Sequence, residues 1–143
     1  MKRKQTVFTI IIFIALMGIC GNAGALSDRD AVNTAVSAAE TWLELIDEGE
    51  YSDSYTRAGE LFKNYMPEKE WIRNVHAVRN PLGKIISRST LSVELARGLP
   101  GAPDGKYVLI QFRSSFEKKM EAVETVTMAE EKGQWRAVGY FIN

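Results

Sequence analysis

The chain has one histidine and one cysteine among 143 residues. A zinc site takes four ligands, most of them imidazoles or thiolates, so His76 alone cannot build one. No serine sits in a Gly-x-Ser-x-Gly elbow, and no second histidine is present to serve as its base. His76 follows Val75 beside a predicted apolar helix stripe and reads as a surface residue. Phosphate loops are missing too: Gly98-Leu-Pro-Gly101 and Pro103-Asp-Gly105 lie between predicted strands, where they read as turns. No Asp-x-Asp-x-Asp-Gly run offers a calcium loop. The sequence therefore calls for no cofactor and no metal. Charge of one sign is also lacking, with 18 basic and 18 acidic residues, and neither a repeat nor a low-complexity segment is visible.

Long apolar runs are short of a membrane span. Met1-Lys-Arg-Lys4 is followed by an apolar stretch to Met17, then by Ala23-Gly24-Ala25. That is the layout of a secretory signal peptide, with cleavage expected after Ala25. The alternatives are an uncleaved N-terminal anchor and lipidation at Cys20, although Ile19 is bulky where a lipoprotein signal takes a small residue. Residues 26–143 then form the expected single domain. Its 15 basic and 18 acidic residues give a net charge of −3, which points to neither nucleic acid nor an anionic membrane as partner. Without the cysteine it must stand on its core.

Ser27 to Asp30 offer helix-capping residues. Val32, Ala35, Val36, Ala39, Trp42, Leu43 and Ile46 then recur at three- and four-residue spacing, predicting a helix that ends at Gly49. Asp47, Glu48 and Glu50 stand at the wrong end of its dipole, which calls for solvent or a partner elsewhere. A second helix runs from Tyr51 to Tyr65, with a break expected at Gly59. Pro67 opens a third, with Trp71, Ile72, Val75 and Val78 as its buried stripe, and Asn80-Pro81 stops it.

Lys84 to Ala96 alternates, with Ile85, Leu91, Val93 and Leu95 on one side and Arg88, Thr90, Ser92 and Glu94 on the other. Tyr107 to Phe116, Ala122 to Ala129 and Trp135 to Ile142 are three further strands, rich in β-branched and aromatic residues. The fold class predicted is α+β, with three N-terminal helices on one face of a four-stranded antiparallel meander. Pairing Phe116 with Ala122, and a two-residue turn at Lys132-Gly133, divide the strands into two faces. The core face takes Val108, Ile110, Phe112, Val126, Met128 and Phe141, among others. The outer face takes Leu109, Val138 and Tyr140 among Gln111, Arg113 and Arg136.

Two candidate sites follow. Glu124 falls on the core face opposite Ser114, beside the space left by Gly139. A carboxylate there is costly unless hydrogen-bonded. It either lines a ligand pocket walled by Ser114 and Trp71 or Trp42, or makes a structural ion pair, with Arg113 if the register slips. The second candidate is the outer face, where Leu109, Val138 and Tyr140 with Arg113 look like an apolar interface centre with a polar rim, suited to a homodimer.

The pieces Ala38-Ala-Glu-Thr-Trp-Leu43, Trp71 through Val78-Arg-Asn-Pro-Leu-Gly83, Leu99-Pro-Gly-Ala-Pro-Asp-Gly105, Tyr107 to Phe112, Glu124-Thr-Val-Thr127 and Trp135 to Ile142 resemble, in order, the small exported bacterial family known as domain of unknown function 4019. The resemblance implies an exported, periplasmic domain and assigns no catalytic residue. The layout also looks like the nuclear-transport-factor-like and cystatin-like cone folds, which include binding modules, a few enzymes and many dimers. Where such folds place a strand between the second and third helices, Lys63 to Glu70 shows none. The reading is an exported, non-catalytic module that binds a small molecule or a protein. The alternative is a small hydrolase-like or isomerase-like enzyme using Glu124.

Overall fold

A computed structural model describes residues 27–143. The expected signal peptide, its cleavage point and Cys20 lie outside the described residues. Thr34–Asn143 form one compact unit; of the other unit, Met1–Asn33, residues 27–33 are described and are helical. No helix among the described residues is long and apolar enough to cross a membrane.

The fold is α+β, with helices preceding a four-stranded antiparallel sheet in the order β1-β2-β3-β4. Among the described residues four α-helices are present rather than three. The first, α1, covers residues 27–47, and Ser27 to Asp30, expected as caps, are already within it. It buries Ala35, Ala39, Trp42, Leu43 and Ile46, as its spacing predicts. It ends in a Schellman motif: Gly49, at φ +77°, donates to the Ile46 carbonyl and Glu50 to that of Leu45.

The predicted second helix is two: α2 (Tyr51–Arg57) and α3 (Glu60–Tyr65). Ala58 and Gly59 between them are extended, and the Gly59 N–H donates to the Ala137 carbonyl on the last strand. A Cβ at Gly59 would stand 2.7 Å from Val138 Cγ1 and 2.9 Å from the Glu131 carboxylate. The break thus reflects a close backbone approach as well as glycine's poor helix propensity. No side chain of its own caps α3. Glu131, from the far end of the chain, accepts from Glu60 N at 2.9 Å and Leu61 N at 3.4 Å. α4 (Glu68–Arg79) leads into a 3-10 turn, Asn80–Leu82, and Lys63 to Glu70 forms no strand. α4 buries Trp71, Val75 and Arg79, whereas Val78, expected in the stripe, is exposed.

The strands are β1 (Ile85–Ala96), β2 (Tyr107–Phe116), β3 (Lys119–Glu131) and β4 (Gln134–Ile142). The Lys132-Gly133 turn has two residues, both at positive φ, as expected of a tight hairpin. The preceding turn is shorter than predicted. It uses only Glu117 and Lys118, so Phe116 pairs with Lys119 and Ser114 with Ala122. The slip is two residues for the inner strand pairs, so it keeps every side chain on its face. Glu124 accordingly lies opposite Phe112 instead of Ser114.

Bulges do change faces. In β4, Thr127 pairs with Gly139 and Met128 with Ala137, leaving Val138 as the extra residue. Beyond it Tyr140 turns inward, opposite Val126. Phe141, predicted for the core, turns outward and is 59% exposed. In β1 a bulge at Leu91 has the same effect. Val93 and Leu95 face inward on one side of it, Arg88 on the other, and Leu91 itself is exposed.

Candidate functional site

Those inward turns assemble a buried polar cluster. Glu124 on β3 is 0% exposed. Its Oε1 accepts from Ser114 Oγ on β2 at 2.6 Å and from Arg88 Nε on β1 at 2.8 Å. Its Oε2 accepts from the Tyr140 hydroxyl on β4. The Arg88 Nη1 and Nη2 atoms donate to both oxygens of Asp47, the last residue of α1, at 2.8 and 2.9 Å. Arg79 at the end of α4 donates to Asp47 Oδ1 at 2.8 Å, and its Nη1 stands 3.9 Å from Glu124 Oε2. Two guanidiniums and two carboxylates therefore balance, with one member from each of α1, α4 and the four strands.

The electrostatics favour the charged forms of Asp47, Arg79 and Arg88. Burial pushes the Asp47 carboxyl up, but hydrogen bonds and charge from Arg88 and Arg79 outweigh it and hold the group below the ordinary aspartate value. Burial works against Arg79 and Arg88 as well, but Tyr140, Asp47 and Glu124 raise Arg79, and Asp47 and Glu124 raise Arg88, above the ordinary arginine value. Burial and the charge of Glu124 push the Tyr140 phenol well above its usual value, so it serves as a donor. Arg79 Nε and Nη1 lack a hydrogen-bond partner, and its guanidinium sits 4.7 Å above the centre of the Phe116 ring. That cation–π contact offsets part of the cost of the missing bonds.

Beside the cluster, Trp42 and Trp71 stack with ring centres 5.8 Å apart, and Tyr140 meets both edge-on. Ser54, fully buried, organises the pair. Its carbonyl accepts from the Trp42 indole at 2.8 Å and its Oγ from the Trp71 indole at 2.9 Å.

A groove opens between α1 and the β3–β4 hairpin, with a volume of about 370 Å³. Ser37, Ala38, Thr41 and Leu45 present one face of α1 to it. Trp42, Met128, Trp135 and Ala137 supply apolar surface, and Arg57 and Arg136 also line it. A smaller cleft of about 240 Å³ lies between α4 and β4, against Trp71, Val75, Tyr140 and Phe141. Glu124 borders neither.

The family described as "Protein of unknown function (DUF4019)" matches residues 38–140. The chain belongs to this family. No curated protein matches it. The matched span of this DUF4019 protein contains every member of the buried cluster and all but two of the groove residues, Thr34 and Ser37.

The predicted site residues separate. Glu124 and Ser114 do meet, although through a diagonal contact, since Ser114 is paired with Ala122. Trp71 lies next to Tyr140 and borders the smaller cleft, which Glu124 does not line. Arg113 pairs with Val123 on the outer face, and the ion partner of Glu124 is Arg88. Of the predicted interface, Leu109 and Arg113 stay on the outer face, Tyr140 points inward, and Val138 packs toward Gly59. Among the described residues no group of three or more potential metal ligands is present. Sequence reasoning missed Asp47, Arg79 and Arg88. One signal was there, since an acid at a helix C-terminus needs a counter-charge.

Proposed function

We propose that this DUF4019 protein is an exported, non-catalytic binding module whose ligand seat is the groove between α1 and the β3–β4 hairpin. The groove is the observation that carries the reading. Its volume falls within the roughly 300–1,000 Å³ typical of small-molecule sites, and it mixes apolar walls with a few convergent polar groups. Export rests on the basic start, short apolar run and Ala23-Gly24-Ala25 of the first 25 residues. The enzyme alternative loses support because the carboxylate of Glu124 is already occupied by Ser114, Arg88 and Tyr140 and borders neither cleft. A general base must reach a substrate proton.

The test is uptake of the uncharged fluorescent probe N-phenyl-1-naphthylamine by residues 26–143. Binding with one-site stoichiometry, lost in Ala38→Trp, is the expected result. No binding, or binding indifferent to that substitution, overturns the groove as the seat. A homodimer through the outer face is a second reading, favoured by the exposure of Phe141 two residues from the Thr127–Gly139 pair that flanks Leu109. Light scattering that finds a monomer dismisses it.

A further inference from the structure

Arg57 and Arg136 have no carboxylate partner among the described residues, unlike the two buried arginines. Arg136 spends its donors on neutral acceptors, the Gln134 side-chain oxygen and, at 3.5 Å, the Arg57 carbonyl. That second contact brings the two arginines to one rim of the groove. No Asp or Glu lines the groove, although the domain as a whole is net acidic. The lining positions Thr34, Ser37, Ala38, Thr41 and Leu45 follow one face of α1 from residue 34 to residue 45. At 1.5 Å per residue the groove is therefore about 16 Å long. Half-buried Trp135 stands in it with Met128 and Ala137.

From this we infer that the ligand is an elongated amphiphile with one anionic head, a carboxylate or a phosphate. Its apolar body lies along α1 against Trp135 and Met128, and its head is held by Arg57 and Arg136. Guanidinium is the side chain best suited to grip such oxyanions, because its forked donors match two oxygens at once. The two arginines cost little to leave charged at the rim before the ligand arrives. The hydroxyl of Ser37 offers a further donor along the wall, whereas that of Thr41 already donates to the Ser37 carbonyl.

The inference rests on the groove reading above, and the experiment separates the two. Laurate, monododecyl phosphate, dodecyltrimethylammonium and the uncharged naphthylamine probe are titrated into residues 26–143 and followed by calorimetry and tryptophan fluorescence. The same titrations are run on Arg57→Gln/Arg136→Gln. One or both anions are expected to bind, more weakly as salt rises, while the cation does not. The double variant loses about tenfold or more in anion affinity and still takes up the uncharged probe, which also shows that it is folded. Laurate alone binding identifies a free carboxylate as the head, and the phosphate alone a phosphoester. Equal binding of the cation, or unchanged anion affinity in the double variant, overturns the anionic class and leaves the groove intact. Failure of all four probes overturns both.

Discussion

Replacing Glu124 by Gln removes one charge from a cluster that balances at zero. The side chain is wholly inaccessible, and Arg88 and Arg79, its cationic neighbours, are 13% and 4% exposed at their side chains. Glutamine fills the same space and keeps an oxygen for Ser114 or Arg88, so no cavity opens. What changes is that two guanidiniums face only Asp47. Removing one partner of a buried ion pair costs about 3–5 kcal/mol, and the retained hydrogen bond places this case near about 3. For a domain of this size that is a fall of roughly 10–15 °C in Tm. Calorimetry and urea unfolding of residues 26–143 measure it. Arg88→Met/Glu124→Gln, paired with Arg88→Met alone, completes a double-mutant cycle. The double variant restores the charge balance, so its cost is expected to fall short of the sum of the singles by about 1–3 kcal/mol. A single-variant loss under about 1 kcal/mol, or strict additivity, refutes the account of the cluster as a coupled buried network.

Three other perturbations address separate contacts. Ser54→Ala strands the Trp71 indole N–H in the core and should cost about 1–3 kcal/mol, with a changed tryptophan emission spectrum as an independent check. Glu131→Ala removes the side-chain acceptor at the start of α3 and should cost about 1 kcal/mol, with faster amide exchange at Glu60 and Leu61. Stability should also depend on pH at both ends. Asp47 titrates lower folded than unfolded, so its contribution is complete above about pH 4 and is lost as the pH falls through the folded value. Tyr140 titrates higher folded than unfolded, so its contribution is complete below about pH 10 and is lost above it. Urea midpoints across pH test this, with Asp47→Asn flattening the acid limb and Tyr140→Phe the alkaline one.

The elements were legible because their signals are periodic or local. Ala35, Ala39, Trp42, Leu43 and Ile46 mark a helix face, and Lys132-Gly133 marks a hairpin. The inward position of Glu124 was legible as well, since a two-residue slip leaves parity unchanged. The partners of Glu124 were not. Leu91 and Val138 are ordinary strand formers, and nothing in their chemistry marks them as bulged. Yet each reverses the faces on one side of itself, which sends Arg88 and Tyr140 into the core and Phe141 out of it. Arg79 was hidden for another reason. A basic residue in the last turn of α4 reads as a favourable dipole contact with water around it, and only the Phe116 ring and Asp47 explain its burial. The groove arginines lie far apart in the sequence, and they meet where Gly59 approaches Ala137.

The buried cluster also bears on when the chain can fold. Its members come from both ends of the domain, from Asp47 to Tyr140, and the start of α3 waits for Glu131. Until β4 docks, the charges of Asp47, Arg79, Arg88 and Glu124 are better left in water. Early helices therefore have little to consolidate them, and folding is expected as one late, concerted event governed by non-local closure. Stopped-flow circular dichroism should show refolding in a single phase without a helical burst. A polypeptide of that kind stays threadable until its last strand has emerged, the condition that passage through a narrow translocation channel demands.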